Sequence, residues 1–167
     1  LGYAHEKFGS LPWDALIYPS VNLAKFGFEL DYHNTLILNS ERYKSLLSND
    51  PVTKSIFTNE SDFKIGDLLI QKELSNTLDR IAKYGYREFY EGMTSDYIID
   101  CMHRTNGLIT REDLRRYKAI ERKPITFDYR GYKIHSMPPA SSGGVALALI
   151  LNQLENIDFT NIPYHSE

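Results

Sequence analysis

The segment Met137–Leu151 reads MPPASSGGVALALIL, and the order of its residue types predicts a turn that leads into a helix. Paired prolines favour an extended backbone, serines are good helix N-caps, and glycines let another backbone approach closely. The apolar run that follows predicts a helix that continues to about Glu155 and is buried on most of its faces. The residues of this predicted strand-to-helix turn are Pro138, Pro139, Ser141, Ser142, Gly143 and Gly144.

A β-hairpin is predicted immediately before the turn. Ile125, Phe127 and Tyr129 alternate with polar residues, and the alternation resumes after Arg130 and Gly131. This pattern is typical of two strands joined by a tight turn. The turn therefore leads from a strand into a helix. A capped and closely packed helix start is the favoured interpretation, with an anion site at the free N–H groups as the alternative.

The chain before the hairpin has mainly helical patterns. Pro12 and Pro19 each suit a first helical position, which predicts two short helices, the second ending at Gly27. Asp31 suits the N-cap of a further helix. The stretch 48–67 is polar and rich in turn residues, so it is interpreted mostly as a loop.

Three more helices are predicted further along. The stretch QKELSNTLDRIAKYG at 71–85 predicts a helix stopped by Gly85. A second apolar face, which includes Cys101, predicts a helix that ends near Gly107. A buried, unreactive thiol is expected at Cys101. Thr110, followed three residues later by an acidic residue, predicts a capped short helix.

Composition excludes several classes of protein. The chain has 167 residues, of which 42% are hydrophobic and 25% charged, so a packed core is expected. A net charge of −3 argues against a nucleic-acid-binding protein. No apolar run approaches the roughly 18 residues that a membrane span needs, so no membrane segment is predicted. The single cysteine allows no internal disulfide.

The candidate reactive residues do not indicate a catalytic or a metal-binding site. Glu112 and Asp113 are adjacent in a first helical turn, where capping is the better explanation. Ser141 and Ser142 lack the Gly-x-Ser-x-Gly elbow of a serine nucleophile. No histidine pair has His-x-x-x-His spacing, and neither a metal nor a cofactor is predicted; His135 is expected to be an ordinary half-buried imidazole. The five histidines are His5, His33, His103, His135 and His165.

Residues 130–159 resemble the large subunit of the γ-glutamyltransferase (γ-glutamyltranspeptidase) family. That family has a Tyr-Arg-Gly-Tyr strand, then Pro-Pro-Pro-Ser-Ser-Gly-Gly, then a helix that ends in Leu-Asn-x-Leu-Glu. The corresponding residues here are 129–132, 138–144 and 151–155, with Ala140 in place of the usual third proline.

The resemblance covers nearly the whole chain, because the upstream motifs occur in the family's order. They are Leu11-Pro12-Trp13, LAKFGF at 23–28, Gly66-Asp67, TLDRIAKYG at 77–85, Phe89-Tyr90-x-Gly92 and GLITREDLRRY at 107–117. Ser20 and Ser75 stand where the family commonly has alanine. These departures do not touch catalytic chemistry, and no single motif is decisive without the ordered set.

The resemblance implies an α+β, mostly helical fold. It implies the helical lobe of an N-terminal nucleophile hydrolase large subunit, followed by the start of the αββα sheet core. Residues 1–120 would form the helical lobe, and residues 121–167 would be a strand–strand–helix portion that joins the core. The chain is expected to be the middle of a large subunit, incomplete at both ends.

The resemblance also implies an activity for the whole protein. A member of this family cleaves the γ-glutamyl amide of glutathione and passes the γ-glutamyl group to water, an amino acid or a peptide. The precursor cuts itself, and a threonine freed at the start of the small subunit attacks the amide with its own α-amino group as base. The small subunit of the same precursor is thus a partner, and a periplasmic, secreted or cell-surface location is implied.

None of the family's catalytic residues is expected in this chain. The nucleophile would lie beyond Glu167, and the arginine that binds the substrate α-carboxylate would lie before Leu1. No substrate-binding residue is assigned, and the chain alone is expected to be inactive. Two alternatives stay open: a related self-processing acylase, acting on cephalosporins or poly-γ-glutamate, and a helical scaffold without catalytic activity.

Overall fold

The computed structural model describes residues 1–160 and Ile162, and the chain forms two compact units. The first unit is Leu1–Lys118 and the second begins at Ala119. The fold is mostly helical with small sheets. The elements of the first unit are α1 (Gly2–Phe8), α2 (Trp13–Phe26), β1 (Phe28–Glu29), α3 (Tyr32–Asn39), α4 (Glu41–Leu47), α5 (Pro51–Phe57), β2 (Leu68–Leu69), α6 (Lys72–Tyr84), α7 (Arg87–Glu91), α8 (Met93–Thr105) and α9 (Arg111–Arg116). The second unit contains β3 (Ile125–Tyr129), β4 (Tyr132–Ser136) and α10 (Gly143–Leu154).

Helices α2 and α6 pack against each other through small buried residues. Val21 and Ala24 are buried on α2, and Ser75 and Ala82 are buried on α6. The Ser75 hydroxyl donates to the carbonyl oxygen of Val21 at 3.2 Å, so the polar group is satisfied inside the contact. Short side chains at these positions let the two helix backbones approach closely.

A small apolar cluster lies beside this helix pair. Strands β1 and β2 are antiparallel, with Phe28 opposite Leu69, and Leu69 packs with Leu30 and Phe63. Asn39 fixes the chain at Phe63 by donating to its carbonyl oxygen at 2.8 Å and accepting from its N–H at 2.9 Å.

One helix prediction for the first unit is wrong, and the stretch predicted to be mostly loop contains one short helix. Pro19 does not begin a helix; it lies inside α2, which is continuous from Trp13, while Pro12 occupies the N-cap. Pro19 and Ala15, whose carbonyl loses its helical partner, are both exposed, so water can satisfy that carbonyl.

Part of the predicted loop 48–67 is helix α5, because Pro51 occupies its first turn beneath a capping aspartate.

Two of the predicted N-caps, Asp31 and Thr110, form their side-chain hydrogen bonds. Asp31 accepts a hydrogen bond from the N–H of Asn34 at 2.7 Å. Thr110 and Asp113 form a complete capping box at the start of α9. Helix α8 ends at Thr105 and is capped by Asn106, which adopts a left-handed conformation with φ 53°, one residue before the glycine near which the sequence predicts the stop.

The predicted hairpin is confirmed in the second unit. Strands β3 and β4 are antiparallel, with Ile125 opposite Ser136 and Tyr129 opposite Tyr132. Arg130 and Gly131 form the two-residue turn with φ of 48° and 82°, the positive values that a type I′ connection requires.

Helix α10 is less buried than its composition predicts. Gly144 is its one buried residue, and Leu149 and Ile150 are 58% and 55% exposed. The two-stranded hairpin contacts the helix along β3 and, at the helix start, through the end of β4, and it is too small to cover the other faces. The expectation of burial on most faces is therefore wrong for the residues that the structure describes. Among those residues, no helix combines the length and apolar character needed to cross a bilayer.

Candidate functional site

The strand-to-helix turn predicted from the sequence lies between β4 and α10. The N–H of Ser141 donates to the carbonyl oxygen of Pro138 at 3.1 Å, which closes the turn. Ser142 is the N-cap residue, and its carbonyl oxygen accepts the first intrahelical hydrogen bond from Ala146 at 2.9 Å. The two prolines, two serines and two glycines are thus brought into one short connection.

The two glycines of the turn have different surroundings. A Cβ atom at Gly144 would lie well inside 3.0 Å of the carbonyl oxygen of Met137 and 3.1 Å from the Ser136 hydroxyl. A Cβ at Gly143 would meet only the Ser141 hydroxyl, at 3.6 Å. The close approach that the sequence suggested for both glycines is therefore found at Gly144 alone, where the helix start touches the end of β4.

The serine hydroxyls of the turn do not form a nucleophile–base pair. Ser142 makes no side-chain capping bond, although it occupies the N-cap. The Ser141 hydroxyl accepts a long hydrogen bond from the N–H of Gly143 at 3.4 Å. In the part of the chain that the structure describes, neither hydroxyl is hydrogen-bonded to a histidine or a carboxylate.

The described histidines do not gather at one place. His5 bonds through Nε2 to the carbonyl oxygen of Leu11 at 2.8 Å and packs edge-to-face on Trp13. His135 is exposed, and its Nδ1 lies 3.1 Å from the hydroxyl of Thr126 on the neighbouring strand. No group of three His, Cys, Asp or Glu residues among residues 1–160 and 162 is arranged to hold a metal ion. His165 lies outside the described residues.

A buried ion pair joins α6, α7 and α8, and no local pattern in the sequence predicts it. Glu88 is only 8% exposed, and Arg80 Nε donates to its Oε1 at 3.1 Å. The same oxygen accepts from the backbone N–H of Thr94 at 3.0 Å and from its hydroxyl at 2.8 Å. Arg80 also donates to the hydroxyl of Thr77 at 3.1 Å and lies over the ring of Tyr97. Every described buried polar side-chain atom has a partner, so the pair is fully satisfied.

The surroundings keep Glu88 ionised. Burial raises the pKa of its carboxyl, but the hydrogen bonds from Thr94 and Arg80 together outweigh burial and place the pKa below its ordinary value. Gly92 leaves room for this carboxylate, because a Cβ there would overlap Glu88 Oε2. The Phe89-Tyr90-x-Gly92 motif identified in the sequence thus includes a position where any larger residue would displace the Glu88 carboxylate. Arg80 and Glu88 hold three helices together, far in sequence from the turn.

Comparison with known proteins identifies the family. The gamma-glutamyltranspeptidase family model matches residues 1–167. The chain is 42% identical over 165 residues to the glutathione hydrolase proenzyme of Escherichia coli strain K12, a match that covers 98% of this chain and 28% of that relative. The chain therefore spans less than a third of the length of this curated relative.

Solved structures agree with this result. The Helicobacter pylori gamma-glutamyltranspeptidase superposes with a TM-score of 0.93 and 34% identity, over 99% of this chain and 48% of that one. A cephalosporin acylase from Bacillus halodurans superposes less well, with a TM-score of 0.75 and 26% identity over 95% of this chain and 30% of its own. On the family match, which extends along its whole length, the chain belongs to the gamma-glutamyltranspeptidase family.

Proposed function

We propose that this chain is part of a γ-glutamyltransferase that cleaves the γ-glutamyl amide of glutathione and transfers the γ-glutamyl group to water, amino acids or peptides. The observation that carries the proposal is the 42% identity, over 98% of this chain, to a relative named glutathione hydrolase proenzyme. Supporting it, the ordered motifs of the sequence extend from Leu11 to Glu155, so the likeness is not confined to one element.

The proposed reaction passes through a γ-glutamyl-threonine. A threonine hydroxyl contributed from outside this chain attacks the amide carbonyl, and the amine leaves with a proton that the threonine's own α-amino group has taken up. Water or an acceptor amine then attacks the resulting ester, which restores the threonine and releases the γ-glutamyl product. Neither Ser141 nor Ser142 is proposed as a participant, because no base contacts either hydroxyl in the described residues.

The role proposed for this chain is to support the catalytic residues. Residues 1–120 are proposed to form the helical lobe of the large subunit, and residues 121–167 to join the αββα core. The exposed face of α10 supports the second assignment, because Leu149 and Ile150 would be buried by further sheet and helix. The β3–β4 hairpin has unpaired strand edges that such a sheet would cover.

The partners and the location are part of the same proposal. The relative's name, proenzyme, supports a precursor that is cut, with the small subunit of that precursor as the partner of this segment. Glutathione and other γ-glutamyl compounds are the proposed donors, and the periplasm, the cell surface or the exterior is the proposed location. Edman sequencing of the mature full-length protein tests the cut: two N-termini, one of them threonine, are expected, and a single uncut chain would contradict it.

The activity is tested with a γ-glutamyl anilide. We expect the purified full-length protein to release the aniline above a blank, and the 167-residue chain not to release it. Glycylglycine should increase the rate if transfer competes with hydrolysis. A full-length protein that cleaves a cephalosporin side chain or poly-γ-glutamate but not the anilide would favour the acylase alternative. A protein with none of these activities would favour the scaffold alternative.

A further inference from the structure

The tip of the β3–β4 hairpin contacts the end of α10 through one residue. Arg130 is the first residue of the two-residue turn, and its backbone N–H points at the carboxylate of Glu155, 3.1 Å from Oε1 and 3.3 Å from Oε2. Glu155 directly follows the last residue of α10. A backbone donor at the hairpin tip therefore holds the residue at which the helix ends.

The side chain of the same arginine bonds to the backbone beyond that point. Arg130 Nη2 donates to the carbonyl oxygen of Leu154 at 3.4 Å and also to that of Ile157. The last carbonyls of a helix have no intrahelical donors, and they carry partial negative charge. A guanidinium presents several N–H groups in a planar fork, so it can bond at once to the carbonyl of Leu154, the last residue of α10, and to that of Ile157 beyond the helix.

Two aromatic rings and an acidic turn surround the guanidinium. The guanidinium carbon lies 5.2 Å from the ring centre of Tyr129 and 5.2 Å from that of Phe159. The cation therefore contacts one aromatic ring of the hairpin and one ring of the chain after α10. Asp158 accepts from the N–H of Thr160 at 3.0 Å. Hydrogen bonds from Thr160, with a smaller contribution from the charge of Arg130, hold the pKa of Asp158 below its usual range.

We infer that Arg130 is a clasp that fixes the path of the chain from Glu155 to Thr160 as it leaves α10. An exposed ion pair alone would contribute little. The Arg130 side chain instead bonds to two backbone carbonyls and lies against two rings, while its backbone holds a carboxylate. The hairpin and α10 have their own backbone hydrogen bonds, so they are expected to persist when the clasp is removed. Opening it should free only the six residues 155–160.

Hydrogen–deuterium exchange of the full-length protein tests the clasp. In Arg130→Ala, the amides of Ile157 and Thr160, which donate to the Leu154 carbonyl and the Asp158 carboxylate, should exchange about tenfold faster, the factor expected for the loss of one hydrogen bond to a charged group. Exchange in β3, β4 and the first two turns of α10 should stay at the wild-type rate. Lys133→Ala is the matched control, since Lys133 is an exposed cation on the same hairpin, and it should change nothing.

A second variant distinguishes the effect of losing the Arg130 side chain from the effect of strain in the turn. Arg130 has a positive φ, which glycine adopts more easily than arginine or alanine, so Arg130→Gly removes the side-chain contacts of the clasp while relaxing the turn and keeping the backbone N–H that binds Glu155. Faster exchange at 155–160 in both variants supports the clasp. An unchanged rate in both would overturn it, and so would an equal increase throughout the hairpin and α10, because that result means general destabilisation. The readout needs no substrate, so a failure here is separate from a failure of the proposed activity.

Discussion

The carboxylate of Glu88 accepts the backbone N–H of Thr94 at 3.0 Å, so a side chain from α7 caps the start of α8. The residue at the N-cap of α8 is Gly92, which has no side chain with which to cap. A Cβ at that position would overlap the Glu88 carboxylate. The glycine and the glutamate are thus two parts of one arrangement, and Arg80 supplies the positive charge that lets the carboxylate be buried.

Replacing Glu88 with glutamine should destabilise the protein. Glu88→Gln keeps the size of the side chain and an acceptor for Thr94, but it leaves the largely buried Arg80 guanidinium without its counter-charge. A loss of about 2 kcal/mol in the free energy of unfolding is expected. Urea denaturation of the full-length protein measures it.

The control for this change is Glu112→Gln. Glu112 pairs with Arg116 at 2.8 Å on the exposed face of α9, so its removal should cost less than about 0.5 kcal/mol. Equal losses in the two variants would mean that the buried pair contributes no more than a surface pair.

The contribution of Glu88 should depend on pH in a defined direction. Its pKa in the folded protein lies below the ordinary value of 4.5, so the folded state binds this proton less readily than the unfolded chain does. The ionised carboxylate therefore stabilises the fold above pH 4.5, and that stabilisation is lost as the pH falls below 4.5 through the folded value. The stability difference between the wild type and Glu88→Gln should shrink over that window. A difference that stays constant from about pH 7 into the acid range would contradict the assignment.

Local signals in the sequence predicted several features that are themselves local. Thr110 and Asp113 are three residues apart and cap the same helix, and Arg130 and Gly131 join adjacent strands, so each pattern could be recognised within a few residues. Helix α5 is not predicted from the sequence although Asp50 accepts from the N–H of Thr53 at 2.7 Å, because the surrounding residues are polar and rich in turn formers.

Tertiary arrangements could not be predicted in the same way. Arg80 and Glu88 are eight residues apart on different helices, a spacing without a local signature, and their pairing depends on how α6 and α7 meet. Pro19 suits a helix start by sequence alone, because the packing of Val21 and Ala24 against α6, which holds α2 together past the proline, is not visible in the sequence. For the strand-to-helix turn, the sequence identified the segment but could not distinguish its two glycines.

The two glycines of the turn should respond differently to the same change. In Gly144→Ala the new methyl group would collide with the carbonyl oxygen of Met137, which is backbone and cannot move aside easily. A loss of about 1–3 kcal/mol in unfolding free energy is expected. In Gly143→Ala the methyl meets only the Ser141 hydroxyl at an ordinary distance, so the change should be within about 1 kcal/mol of neutral. Thermal denaturation of both full-length variants provides the comparison. A Gly143→Ala variant that is the less stable of the two would contradict the close backbone contact at Gly144.

The serines of the turn should matter little to stability or to substrate affinity. A true N-cap serine contributes about 1 kcal/mol, but Ser142 makes no side-chain capping bond, and the Ser141 hydroxyl accepts only a long one, at 3.4 Å. Each serine-to-alanine change should therefore lower the free energy of unfolding by less than about 0.5 kcal/mol. If the turn supports the active site without touching the donor, the KM for a γ-glutamyl anilide should also stay at the wild-type value in both full-length variants. A Ser142→Ala variant with normal melting but a tenfold higher KM would instead place this hydroxyl in contact with the substrate.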